Sequence, residues 1–80
     1  MPTIWQGDTV DTPDGPGTVT DRDTYAGEVL VRLNNGSELD TSHGRWYPVD
    51  MLTVTGWDPN ASVWYAGRMT FACNVRRVEG

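Results

Sequence analysis

The chain contains no lysine, and all six of its basic residues are arginine: Arg22, Arg32, Arg45, Arg68, Arg76 and Arg77. Isoleucine and phenylalanine occur once each, as Ile4 and Phe71. Codons for Lys, Ile and Phe are AT-rich, so this bias points to a high-GC genome, such as that of an actinobacterium or one of its phages. Cys73 is the only cysteine. No intramolecular disulfide can form, whereas a small secreted domain normally carries a disulfide framework. No apolar run approaches the roughly 18 residues that a membrane span needs. Residues 1–10 hold Gln6, Gly7 and Asp8, which do not fit the apolar core of a secretory signal. These absences predict a cytoplasmic protein of a bacterial cell with no membrane span. Asn35-Gly36-Ser37 and Asn60-Ala61-Ser62 are then chance matches to the glycosylation pattern.

Eighty residues make one domain. A chain of this length buries only about 60–65% of its unfolded surface, so every large apolar residue counts. Hydrophobic residues make up 38% and charged residues 21%, too apolar a mixture for disorder. Thr and Val are abundant and favour half-buried strands. Gly and Pro are spread along the chain, as short strands with tight turns require.

The net charge of −5 is uneven. Residues 1–28 hold six acids (Asp8, Asp11, Asp14, Asp21, Asp23 and Glu28) against Arg22, whereas residues 29–80 hold five acids and five arginines. The whole excess therefore sits in the first third. A nucleic-acid binder usually shows a basic stripe instead. The acids are read either as turn formers and solubilising surface, or as an acidic face for a basic partner.

Residues 5–10 are expected to open the domain as a short edge strand. Thr12-Pro13-Asp14-Gly15-Pro16-Gly17 is a turn cluster, because Pro fixes φ and Gly tolerates positive φ. Residues 18–24 and 28–33 read as strands separated by Tyr25-Ala26-Gly27, with Val29, Val31 and Leu33 on one face. Asn34-Asn35-Gly36 predicts a hairpin. A two-residue loop would bring Glu38 and Asp40 opposite Leu33 and Val31, placing carboxylates on the apolar face. A three-residue loop sets Val31 opposite Leu39 and Arg32 opposite Glu38, with Gly36 left-handed in a G1 bulge. The latter is the expected form. Residues 39–42 continue that strand, residues 46–52 read as a short helical turn begun at Pro48, and residues 52–55 as another strand.

Asp58-Pro59 would suit a helix start. However, Met69, Phe71, Cys73 and Val75 alternate, and Gly67 would weaken a helix centre. Tyr65-Ala66-Gly67-Arg68-Met69-Thr70-Phe71 also echoes Tyr25-Ala26-Gly27-Glu28-Val29-Leu30-Val31, which leads into a strand. Residues 62–78 are therefore expected to form a second hairpin.

Gly7-Asp8-Thr9-Val10, Gly15-Pro16-Gly17-Thr18-Val19, Val29-Leu30-Val31-Arg32-Leu33 with its Asn-Gly turn, and Trp46-Tyr47-Pro48-Val49-Asp50-Met51-Leu52 together resemble the small SH3-like barrels related to KOW modules, of the kind found in actinobacteria and their phages. The resemblance covers about residues 5–55. It implies an all-β fold of about five strands, in which an opening strand meets a second strand and a central hairpin, a one-turn 3-10 helix and a closing strand follow. Residues 56–80 have no counterpart in it and are expected to be a C-terminal hairpin extension of the same domain. Such barrels host RNA or DNA contact, peptide binding and subunit docking. KOW modules that touch nucleic acid are usually basic, and this chain departs from that.

No catalytic centre is legible. Cys73 falls on the apolar alternation and reads as a small buried hydrophobe, and His43 sits beside Gly44 in a loop. One Cys and one His far apart provide neither a nucleophile pair nor a metal site. The N-terminal aspartates do not follow the spacing of a Ca²⁺ loop, and their turn-like setting disfavours the buried acid of a paired-carboxylate hydrolase. Gly15-Pro16-Gly17 lacks the Lys and helix of a phosphate loop. No cofactor is expected.

The aromatic set Trp5, Trp46, Tyr47, Trp57, Trp64 and Tyr65 is large for so thin a core, and exposed Trp and Tyr favour interfaces. The expectation is a non-enzymatic protein-interaction module, an accessory protein of a phage or its actinobacterial host. Contact is expected through Trp46, Tyr47, Trp64 and Tyr65, with Asp11, Asp14, Asp21 and Asp23 as a second, acidic face. The alternatives are a nucleic-acid-binding KOW-like module using Arg32, Arg45, Arg68, Arg76 and Arg77, which the net charge disfavours, and a virion connector or decoration subunit. Self-association is also compatible with the aromatic set.

Overall fold

Val10, Val19, Val29, Val31 and Leu33 alternate with their neighbours, so a sheet built from these segments has one apolar face. In the computed structural model, which describes residues 4–34 and 44–79 with side chains as far as Val75, that sheet has five antiparallel strands. They are β1 (Asp8–Thr12), β2 (Gly15–Asp23), β3 (Glu28–Leu33), β4 (Arg45–Pro48) and β5 (Thr53–Trp57), with a 3-10 turn at Val49–Met51 between the last two. The spatial order is β4-β3-β2-β1-β5. A two-stranded ribbon, β6 (Ser62–Tyr65) and β7 (Arg68–Phe71), and a short helix, α1 (Ala72–Glu79), complete the chain. The domain is therefore all-β apart from one short helix. The expected sequence of opening strand, second strand, 3-10 turn and closing strand is present.

Two bulges bend the sheet. Thr20 is the extra residue where the β2–β3 register steps from Val19↔Val31 to Asp21↔Leu30. Thr55 is the extra residue where β1–β5 steps from Thr9↔Gly56 to Val10↔Val54. Bulges increase local twist and let a sheet curl around its own apolar face. That face encloses Ile4, Val10, Val19, Val29, Val31, Leu33 and Tyr47, with Val49 and Leu52 at its margin. Gly17 is required by space: a Cβ there would lie 2.5 Å from Val31 Cγ1 and 2.7 Å from the Arg32 carbonyl oxygen. The turn expected over residues 12–17 is confined to residues 13–14, and β2 begins at Gly15 rather than at residue 18; Thr12 lies opposite Gly15, and the Thr12 hydroxyl donates to the Gly15 carbonyl at 2.7 Å.

Several expectations are corrected. The first strand is Asp8–Thr12, not residues 5–10, and it lies between β2 and β5 rather than at an edge. Residues 46–48 belong to a strand, because Tyr47 pairs with Val29 and Trp46 with Leu30; only Val49–Met51 turn. The closing strand is Thr53–Trp57 rather than residues 52–55. Val31 has Val19 and Arg45 as its cross-strand partners; Leu39 and Glu38, the expected partners of Val31 and Arg32, lie outside the described residues. The loop at Asn35-Gly36, the left-handed Gly36, residues 39–42 and His43 lie outside the described residues.

The C-terminal hairpin forms, but over residues 62–71 rather than 62–78, and the chain then turns into helix α1. Val63, Ala72 and Val75 are fully buried in a second small core, with Trp5, Ala61 and Tyr65 packed against it. Ala72 and Val75 stand three residues apart, the spacing of one helix face. Cys73 lies between them in the helix and is half-buried, not a fully buried strand residue. The two cores meet at Gly7 (φ 92°), where any Cβ would run into the Cβ of Ala72 and crowd the Trp57 indole. The Gly7 carbonyl accepts from the Asp58 amide at 2.8 Å, and the Gln6 side-chain amide donates to the Trp64 carbonyl at 3.1 Å.

Candidate interaction surface

The β6–β7 ribbon turns through Ala66 and Gly67, which lie between the paired Tyr65 and Arg68. Both have positive φ, 54° and 79°, the condition for a type I′ turn. This tight turn fixes the register: Trp64 faces Met69 and Ser62 faces Phe71. Directly opposed residues share a face of the ribbon. Trp64, Met69 and Phe71 therefore project from one side, and they are 43%, 49% and 54% exposed. The alternate residues, Val63, Tyr65 and Thr70, face the other side, where Val63 is fully buried against helix α1. The apolar alternation legible at Met69 and Phe71 thus marks the outward face.

The other aromatics divide by strand geometry. Trp46 points away from the core and is 45% exposed. Its neighbour Tyr47 is buried, so it does not belong to an exposed aromatic pair. The Tyr47 hydroxyl donates to Asp14 Oδ2 at 2.6 Å, and Arg45 reaches the same oxygen at 3.4 Å. Burial, and then the bond to Asp14, push the Tyr47 phenol above its ordinary value of 10.0. Tyr65, next to Trp64 on β6, faces the opposite side, where it is half-buried against the second core. Two residues that are not among the expected contact residues, Met51 and Trp57, are exposed at the 3-10 turn and at the end of β5. Tyr25, at the β2–β3 turn, is wholly in solvent.

Most N-terminal acids have local tasks. Asp8 is buried, and its Oδ2 accepts from the Trp5 amide at 2.9 Å, in contrast to the turn-like setting, unsuited to burial, that is expected of these acids. Asp14 holds Tyr47 and Arg45. Asp21 accepts from the Arg22 amide at 2.8 Å. Asp23 accepts from the amides of Tyr25 and Ala26, both at 3.1 Å, and so fixes the β2–β3 turn. Asp11 is exposed on β1. The acids therefore behave largely as turn and strand-end ligands of the backbone, as Asp does by virtue of its short acceptor side chain.

The arginines are dispersed as well. Arg22 stacks over the Trp5 ring, 4.2 Å from its centroid, and Arg45 is paired with Asp14. Arg32 is exposed on β3 and Arg68 on β7. The side chains of Arg76 and Arg77 lie outside the described set. Among the described residues, no three His, Cys, Asp or Glu side chains are grouped to hold a metal ion, and no helix is long and apolar enough to cross a membrane. No protein family model, curated protein or solved structure matches the chain.

Proposed function

We propose that this chain is a non-enzymatic binding domain that docks a protein partner through the outer face of the β6–β7 ribbon. One observation carries this reading: Trp64, Met69 and Phe71 stand together on an exposed face, while on the opposite face Val63 is buried against helix α1. Trp, Met and aromatic residues are the side chains most enriched at protein interfaces. A net charge of −5 opposes contact between two copies and favours a partner with an apolar groove rimmed by basic residues. The nucleic-acid alternative is weaker, because the described arginines form no continuous stripe and Arg45 is already neutralised. A virion connector or decoration subunit would use the same face, and detection of the chain in purified particles distinguishes that case.

The test compares the wild-type chain with M69D and F71D in parallel pull-downs from a host lysate at low and high salt. Both positions are half-exposed, so the variants keep the fold. The reading predicts a partner retained by the wild type, lost from both variants and weakened by salt. It is overturned if both variants retain the same species as the wild type, or if the wild type retains nothing and stays monomeric.

A further inference from the structure

Tyr65, Ala66, Arg68, Thr70 and Asn74 line an open cleft of about 300 Å³ between the tip of the ribbon and helix α1. Arg68 and Thr70 alternate with Met69 and Phe71, so the cleft lies on the side away from the apolar face and does not rest on the docking reading. Its volume is at the lower end for ligand pockets, which suits a small group rather than a nucleotide.

The chemistry of the lining selects the charge. The Arg68 side chain makes no hydrogen bond or ion pair to any described residue, although the chain carries an excess of acids. Its planar guanidinium presents a fork of donors matched to a carboxylate. Asn74 Nδ2 donates to Thr70 Oγ1 at 3.0 Å; a hydroxyl that accepts there keeps its own hydrogen for another acceptor. None of the described residues that line the cleft is an acid. The backbone adds a second argument. Ala66 holds φ at 54°, where Asn or Gly would sit more easily in a type I′ turn. The strained position thus carries an apolar methyl that lines the cleft, and strain of this kind collects at ligand sites.

We propose that this cleft binds a carboxylate carried on a small apolar group. Arg68 pairs with the carboxylate, the Thr70 hydroxyl donates to it, and Tyr65 and Ala66 pack against the apolar part. Two sources share that chemistry: a free small carboxylic acid, and the C-terminal residue of a peptide.

The experiment titrates the ¹⁵N-labelled full chain with isobutyrate, and with a leucine-terminated tripeptide in free-acid and amidated forms, at low salt. The expected result is saturable shifts at the Arg68, Thr70 and Asn74 amides in the millimolar range or tighter. Binding falls about tenfold in R68Q, the size of one lost charge-assisted pair, and more modestly in T70V. Both variants keep the dispersed spectrum of the folded chain. Saturation by isobutyrate identifies a free acid as a sufficient ligand, whereas saturation by the free-acid peptide alone identifies a chain terminus. The proposal is overturned if the amidated peptide binds as tightly as the free acid, if R68Q binds undiminished, or if no probe saturates.

Discussion

Tyr47→Phe removes one oxygen and leaves the ring in the core. The lost bond joins β4, at one edge of the sheet, to the β1–β2 turn that carries Asp14. It is short, at 2.6 Å, and its acceptor is a carboxylate, which places it in the range of about 1.5–3 kcal/mol for bonds to charged groups. The Asp14 side chain is 32% exposed, so water can replace the phenol, and the expected loss falls to about 1–2 kcal/mol. For a domain this small, that corresponds to a drop in Tm of about 5–10 °C. Urea unfolding followed by Trp fluorescence measures it. Arg45→Gln is the control: the pair is 3.4 Å apart and its side chains are 53% and 32% exposed, so it is worth less than about 0.5 kcal/mol. A double-mutant cycle of Tyr47→Phe with Asp14→Ala should return a coupling of about 1–2 kcal/mol. The phenol is held protonated above its ordinary 10.0, so the native state keeps a proton that the unfolded state releases. That stability is fully present below pH 10 and is lost as pH rises through the native value. Wild type should therefore lose stability at alkaline pH more steeply than Tyr47→Phe. Equal stability of wild type and Tyr47→Phe, or a larger loss from Arg45→Gln, would refute this account of how the sheet closes.

Three further outcomes are expected. Ala66→Asn should stabilise the chain by about 0.4–1 kcal/mol in urea unfolding, because Asn tolerates the left-handed φ of 54° better than Ala does. Gly7→Ala should destabilise it by more than about 2 kcal/mol, since the new methyl meets Ala72 at a φ of 92°; hydrogen exchange should show α1 and β6 opening first. Val63→Ala should cost about 2 kcal/mol, while Phe71→Ser on the opposite face should change thermal stability by less than about 0.5 kcal/mol.

The parts of the fold legible in the sequence were those governed by local chemistry. Val29, Val31 and Leu33 mark a buried face by their spacing, and the φ preferences of Thr12-Pro13-Asp14-Gly15-Pro16-Gly17 mark a turn, though Gly15 to Gly17 already belong to β2. What failed was non-local. Val31 pairs with Arg45, fourteen positions along the chain, in the register that sets Tyr47 opposite Val29 and carries its hydroxyl to Asp14. Asp8 looked like surface because an isolated carboxylate seldom goes inside, yet the Trp5 amide satisfies it. At the C-terminus, the alternation of Met69, Phe71, Cys73 and Val75 was real as far as Phe71. Alternation identifies two faces without saying which is buried, and here the buried one holds Val63 and Tyr65. The helix signal lay in Ala72 and Val75, two residues too few to outweigh the pattern before them. Of the expected contact residues, Trp46 and Trp64 are exposed and Tyr47 is not, a split fixed by strand parity once Tyr47 pairs with Val29.

The size of the residues inside and outside bears on function. Among the described residues, the largest fully buried side chains are all valine: Val10, Val19, Val29, Val31, Val63 and Val75. Trp46, Met51, Trp57, Trp64, Met69 and Phe71 are between 42% and 54% exposed. A chain of 80 residues has little apolar surface to bury, and each fully buried large side chain contributes about 1.5–3 kcal/mol. Leaving the bulkiest apolar groups half in water forgoes that contribution, and it also creates a surface prone to association. Folding alone does not account for Met69 and Phe71, because polar residues at those outward positions would leave Val63, Ala72 and Val75 packed as they are. An apolar face that the fold does not need, on a ribbon with a tight turn and a defined register, is the feature on which the proposed docking role rests.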